Sequence, residues 1–172
     1  MPIPTIITGS SSGIGKSISE LILNSNNNVL GIDICDSNIS SKNYQHIKVD
    51  ISNLNKLKDL PFLEIFSNYQ GLVNAAGVTL NAEEENKFEV FDKTLAINLK
   101  APYYFSEMFY ASRNEPFLNS SIVNISSIGG KMGFPGNPSY CSSKGGVESL
   151  TRALAVDYYD KKVRVNSVRP GY

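Results

Sequence analysis

Thr8-Gly9-Ser10-Ser11-Ser12-Gly13-Ile14-Gly15 is the stretch on which the reading turns. Before it, Ile3 to Thr8 is short, apolar and β-branched, as a buried strand requires. After it, apolar residues recur at Ile14, Ile18, Leu21 and Ile22, the spacing of a helix. A turn that leads from strand to helix offers backbone N–H groups and the positive helix end to a pyrophosphate. Glycine serves where such a turn is tight, where the backbone meets the ligand and where helix crosses strand. Three glycines in a loop carry little weight by themselves. With these flanks, Gly9, Ser11, Ser12, Gly13, Ile14 and Gly15 become candidate dinucleotide contacts.

Asp33 closes the next strand-like run, eighteen residues beyond Gly15. An acidic residue about 20 positions after such a turn accepts hydrogen bonds from the adenosine ribose hydroxyls. Its charge would repel a ribose 2′-phosphate, and Ser10 to Ser12 supply no cation to receive one. The expected cofactor is therefore NAD rather than NADP. Lys16 is the one basic residue nearby. The structural alternative is that Asp33 only caps a turn before Asp36.

Outward from there the pattern alternates. Strands are expected at Val29–Ile34, Ile47–Ile51, Leu72–Asn74, Ser121–Ser127 and Val163–Val168, with a loop over Cys35–His46. Helices are expected over Leu54–Phe66, kinked or split by Pro61, over Phe88–Tyr110, irregular at Pro102, and over Tyr140–Tyr159. This order predicts an α/β fold: a doubly wound parallel β-sheet of Rossmann type, in three α/β/α layers, ending after the sixth strand. Residues 1–172 form one expected domain.

Composition excludes several function classes. The chain is 41% hydrophobic and 19% charged, with sixteen basic residues against sixteen acidic ones. Such a balance gives no global field to recruit nucleic acid or an anionic bilayer, and no run is long enough to span a membrane. Cys35, Cys141 and the single His46 share no metal-ligand spacing, so no metal is expected. The start Met1-Pro2-Ile3-Pro4 lacks a basic n-region, which points to a cytoplasmic protein.

Tyr140 and Lys144 stand four residues apart at the start of a helical run, on one face. A phenol ordinarily loses its proton near pH 10, and an ammonium beside it favours the phenolate. Such a pair can act as a general acid/base near neutrality. A Tyr-x-x-x-Lys spacing by itself is usually a solvated helix face.

Here it stands among other elements. The chain resembles the short-chain dehydrogenase/reductase family along essentially its whole length, through Thr8–Gly15, Asn74-Ala75-Ala76-Gly77, Asn98 within Leu95–Leu99, Ile122–Ser127, the Tyr140/Lys144 pair and Val165–Gly171. The resemblance implies reversible hydride transfer between a nicotinamide cofactor and a carbonyl or secondary alcohol. Tyr140 would exchange the proton. Ser127, thirteen residues before it, would hold the substrate oxygen in preference to Ser126. Lys144 would bind the nicotinamide ribose, and Asn98 would hold a water leading back to Lys144. Asp50, Ile51, Asn74, Ala75, Ala76 and Gly77 would lie along the adenosine side, with a structural role equally open for Asn74. Pro170 and Gly171 would close on the nicotinamide.

The family pattern continues past Pro170-Gly171 with a substrate loop, a helix and a seventh strand, which this chain is expected to lack. That keeps open a catalytically inactive NAD-binding fragment or regulatory relative. An NADPH-linked 3-oxoacyl reductase of the same family is the other alternative. The partners implied are a small alcohol or ketone and further copies of the chain. Phe91, Tyr103, Phe105, Met108, Leu150, Leu154 and Val156 on the two long helices suggest a homodimer or homotetramer. The substrate rim is expected from Val78–Lys87 and from Ile128–Ser139, with Met132, Phe134 and Pro135 lending apolar character.

Overall fold

Six short runs pair into one parallel sheet: β1 (Thr5–Thr8), β2 (Val29–Asp33), β3 (Tyr44–Lys48), β4 (Gly71–Asn74), β5 (Ser121–Ile125) and β6 (Arg164–Val168). The computed structural model describes residues 3–83, 85–113 and 120–171. Met1, Pro2 and Tyr172, on which expectations about the two chain ends rested, lie outside the described residues. The strand order is β3-β2-β1-β4-β5-β6. Chain direction across the sheet reverses at β1, whose neighbours β2 and β4 lead to opposite edges. In such sheets ligands bind at that switch point, beyond the carboxyl ends of the strands.

The helices are α1 (Gly13–Asn24), α2 (Leu54–Lys58), α3 (Phe62–Ser67), α4 (Lys87–Leu95), α5 (Ala101–Ala111) and α6 (Pro138–Asp157). One sheet face carries the larger core. Ile6, Leu30, Ile32, Leu72, Ile122 and Val165 meet Phe62 and Phe66 of α3, Phe105 and Phe109 of α5, and Leu154 of α6. Phe62 and Phe105 meet edge to face at 5.5 Å. Each such side chain contributes about 1.5–3 kcal/mol on burial. The opposite face is thinner: Ile7, Val29, Val73 and Ile125 lie under Ile18, Ile22 and Leu23 of α1.

Three elements differ from expectation. The third strand runs over Tyr44–Lys48, not Ile47–Ile51. As an edge strand paired only with β2 it is half-buried, and its apolar alternation is weak. The apolar Val49–Ile51 segment follows the last rung, and Ile51 turns into the core. Pro61 splits the expected Leu54–Phe66 helix outright and stands at the N-cap of α3. The expected Phe88–Tyr110 rod is three pieces, because a π turn over Ala96–Lys100 separates α4 from α5. Pro102 explains the interruption. In a regular helix its ring would strike the Asn98 carbonyl, and it has no N–H to donate there. The wide turn relieves the clash, and Ala101 N–H bonds Ala96 O instead.

The apolar stripe of the long helices divides as well. Phe105 and Leu154 belong to the core, while Tyr103 and Val156 remain 47% and 76% exposed. Two buried polar devices brace the interior. Asn74 Nδ2 donates to Asn124 Oδ1 at 2.8 Å, and Asn124 Nδ2 donates to Thr151 Oγ1 at 3.0 Å, joining β4, β5 and α6. Arg113 is buried and donates to the carbonyls of Phe66 and Tyr69, closing the end of α3. Among the described residues, no helix is long and apolar enough to cross a membrane.

Candidate active site

Beyond the strand ends lies a cleft of about 500 Å³, lined by Gly9, Ser12, Gly13, Ile14 and Gly15 from the β1–α1 turn, by Asp33, Asp50 and Ile51, and by Ala75, Ala76 and Gly77 after β4. A second cavity of about 230 Å³ is lined by Ser127, Tyr140, Lys144, Pro170 and Gly171. Ile14, Ala75, Gly77 and Val78 line both, so the two are one groove across the switch point.

The turn is built for close approach. Gly9 has a φ of +72°, and a Cβ there would sit 2.7 Å from the backbone N and Cα of Ala76. A Cβ on Gly15 would sit 2.1 Å from Gly9 O, so only glycine lets α1 start against the turn. No side chain caps α1, and its first turn holds no acidic residue. Its N–H groups and dipole therefore face the cleft uncompensated, which suits a phosphate.

Asp33 is aimed by backbone. Ser11 N–H donates to Oδ2 and Cys35 N–H to Oδ1, each at 2.9 Å. Both oxygens keep lone pairs for a ribose diol. Ser11 thus acts on Asp33, and it does not line the cleft itself. Asn74 is not brought to the cleft either; it lies buried beneath it, bonded to Asn124.

At the other end the two serines diverge. Ser126 follows β5, donates its N–H to Val168 O, and shares its hydroxyl between Lys144 O and Glu148 Oε1. Ser127 Oγ accepts from Gly129 N at 3.1 Å, which leaves its hydroxyl hydrogen unassigned by any protein acceptor described. Lys144 is buried, and its Nζ donates to Ile125 O at 2.8 Å and lies 5.8 Å from the Tyr140 ring centre. Burial pushes the ammonium down from its ordinary value to about 8. Asn98 occupies the π turn and clamps the loop after β4. Its Oδ1 accepts from Val78 N at 2.8 Å, and its Nδ2 donates to Val78 O at 2.9 Å and Ser143 Oγ at 3.0 Å. Gly77 is where these parts meet: a Cβ there would lie 3.2 Å from Lys144 Nζ and 3.4 Å from Asn98 Oδ1.

Sequence reasoning missed several groups. Cys35, Val49, Lys93 and Ile97 also line the larger cleft, as do Val78 and Leu80, which were expected at the substrate rim. Lys93 carries no motif that could have marked it; five residues before Asn98, only the fold brings it there. Arg169 grips Glu148 through two bonds of 2.7 and 2.6 Å, tying the end of β6 to α6 one turn beyond Lys144. Ile128 N–H donates to Pro170 O at 3.1 Å, so Pro170 and Gly171 are held from both sides. Arg169 keeps the Glu148 carboxyl below the usual carboxylate range.

A family model described as short chain dehydrogenase matches residues 4–172. A 3-oxoacyl-acyl-carrier-protein reductase FabG from Thermotoga maritima is 32% identical over 183 residues, covering 97% of this chain and 72% of that protein. A short-chain type dehydrogenase/reductase from Sinorhizobium fredii is 30% identical over 177 residues, and this chain spans 32% of its length. Among solved structures, 4-hydroxyisoleucine dehydrogenase complexed with NADH and succinate superposes with a TM-score of 0.88 at 29% identity, over 97% of this chain and 78% of that one.

Proposed function

We propose, for a chain that belongs to the short-chain dehydrogenase family, that it catalyses reversible hydride transfer between NAD(H) and a carbonyl or secondary-alcohol carbon. The observation that carries this reading is the convergence of Ser127, Tyr140 and Lys144 on one small cavity. That cavity opens into a cleft with a phosphate-ready helix end and a ribose-ready carboxylate. When bound, the nicotinamide supplies the hydride; the protein supplies orientation and proton handling.

Each residue has one task in this scheme. The uncapped start of α1 holds the pyrophosphate, and Asp33 takes the adenosine ribose hydroxyls. Asp50 and Ile51 flank the adenine side, and Ala75 to Gly77 line the path between. Ser127 turns its free hydroxyl hydrogen toward the substrate oxygen, because its lone pair already serves Gly129 N. Tyr140 gives that oxygen a proton in reduction and removes one in oxidation. Lys144 spends one N–H on Ile125 O and directs its others at the nicotinamide ribose and Tyr140. Asn98 fixes the Val78 segment and, through it, the floor of the site. Pro170 and Gly171 cover the nicotinamide.

Asp33 supports NAD over NADP, as does the NADH in the 4-hydroxyisoleucine dehydrogenase complex. The likeness to a 3-oxoacyl reductase favours an acyl-chain ketone as the second reading of the substrate. Exposed Tyr103 and Val156 support self-association through the long helices. The test is a panel of ketones with NADH against the parent and Tyr140→Phe. Turnover should vanish in the variant while NADH binding stays within about twofold, since the ring is kept and only the proton donor is lost. Retained turnover would remove Tyr140 from its role.

A further inference from the structure

A hydrogen-bonded chain runs from the glycine turn across the third strand and ends on the residue that clamps the Asp33 carboxylate. Ser10 Oγ lies 3.1 Å from Tyr44 Oη, and Tyr44 Oη lies 3.1 Å from His46 Nδ1. His46 Nε2 lies 3.0 Å from Cys35 O, which also receives Ser11 Oγ at 3.2 Å. The bond directions follow from chemistry. A carbonyl only accepts, so Nε2 carries the hydrogen. In a neutral imidazole Nδ1 must then accept, so Tyr44 donates to His46 and Ser10 donates to Tyr44. The chain starts within the glycine turn and finishes at the residue whose N–H holds Asp33 Oδ1.

Sequence and packing make room for it. Ser10 is fully buried beneath the turn. A Cβ on Gly31 would sit 2.1 Å from Tyr44 Oη and 2.4 Å from Ser10 Oγ, so the space above β2 is given to this pair. Tyr44 and His46 are alternate residues of β3 and stack with ring centres 6.0 Å apart. Cys35 is exposed, and its carbonyl is held by His46 Nε2 and Ser11 Oγ.

We propose that His46 and Tyr44 are positioning residues that set the dinucleotide selectivity of the cleft. Neither residue lines the cleft or the smaller cavity. Cys35 O and Cys35 N–H lie in the two peptide units on either side of one Cα, so by holding the carbonyl His46 limits the rotation of the residue whose N–H orients the Asp33 carboxylate. A correctly aimed Asp33 binds a ribose diol and disfavours a 2′-phosphate. A loosened one loses the diol contact and swings its charge away. This rests on the NAD-binding reading above and adds to it what tunes the preference.

The test is calorimetric titration of the intact chain with NADH and separately with NADPH. The variants are His46→Leu, His46→Gln and Tyr44→Phe, each with a melting curve. His46→Leu should weaken NADH by about fivefold, the effect of one net hydrogen bond, and NADPH by less than about twofold. His46→Gln places an amide N–H near the Nε2 position and should restore NADH binding to within about twofold of the parent. Tyr44→Phe keeps the ring and should lie between the two. This conservative pair carries the test if His46→Leu does not fold. Equal weakening of both nucleotides in step with a falling melting temperature would overturn the proposal, as would unchanged affinity in all three variants. A parent that binds neither nucleotide would defeat the NAD-binding reading itself, and the selectivity role with it.

Discussion

Replacing Lys144 by Met isolates what a buried ammonium costs this fold. The folded protein holds that proton less tightly than the unfolded chain, about 8 against an ordinary 10.5. The gap corresponds to roughly 3 kcal/mol of destabilisation whenever both states carry the charge, that is, below about pH 8. Between about pH 8 and 10.5 the folded state has shed the proton and the unfolded chain has not, so stability from this group rises with pH and the cost disappears. Met fills nearly the same volume without the charge, but it leaves Ile125 O without its donor, a loss of about 1–3 kcal/mol. At pH 7 the variant should therefore range from about equal stability to about 2 kcal/mol more stable, a melting temperature up to about 4–8 °C higher for a domain of this size. At pH 10 the advantage should be gone and the lost hydrogen bond should dominate. The assay is urea unfolding of parent and variant in parallel from pH 6 to 10, read as the difference, so that all other titrating groups cancel. A constant difference across that range would refute the depressed lysine. Turnover with NADH and ketone should be lost in the variant at every pH.

Gly9→Ala forces a side chain onto a φ of +72° and into the backbone of Ala76 at 2.7 Å. It should destabilise the chain by at least about 2 kcal/mol and weaken NADH by more than tenfold in titration calorimetry. Asn98→Ala strips the partners from both Val78 N and Val78 O, which should cost about 3 kcal/mol and lower the melting temperature by about 6–12 °C. Addition of NADH should recover part of that loss, because the ligand binds the ordered form of the Val78 segment.

The fold was legible where pattern and chemistry agreed. The glycine turn, Asp33, Tyr140 and Lys144 sit at points where a local rule and a spacing point to the same chemistry, and they line one groove. The misplaced β3 has a physical cause. An edge strand needs no apolar alternation, and the apolar pattern lies instead in Val49–Ile51, which serves a core contact beyond the ladder. Asn74 stands in a stretch expected to run beside the dinucleotide, yet its amide is spent on Asn124, fifty residues away, a partner that spacing cannot reveal. The same holds for the pair of Glu148 and Arg169, and for Tyr44 and His46, whose significance appears only when β3 is laid beside β2. Pro102 was visible as an irregularity; that it opens a wide turn around Asn98 needed the backbone.

That wide turn also acts as a phase splice between two helices. One residue of winding is about 100° of rotation, so α4 and α5 need not share a single apolar stripe. Thr94 on one side and Phe105 and Phe109 on the other are each buried, although each half faces its own neighbours. Substitution can therefore drift on either side of the splice without the other half compensating. Removing a single residue between Ala96 and Lys100 would do what no substitution can. It would let the rod close into a regular α-helix with the faces of α4 and α5 kept, and would remove the wide turn that seats Asn98.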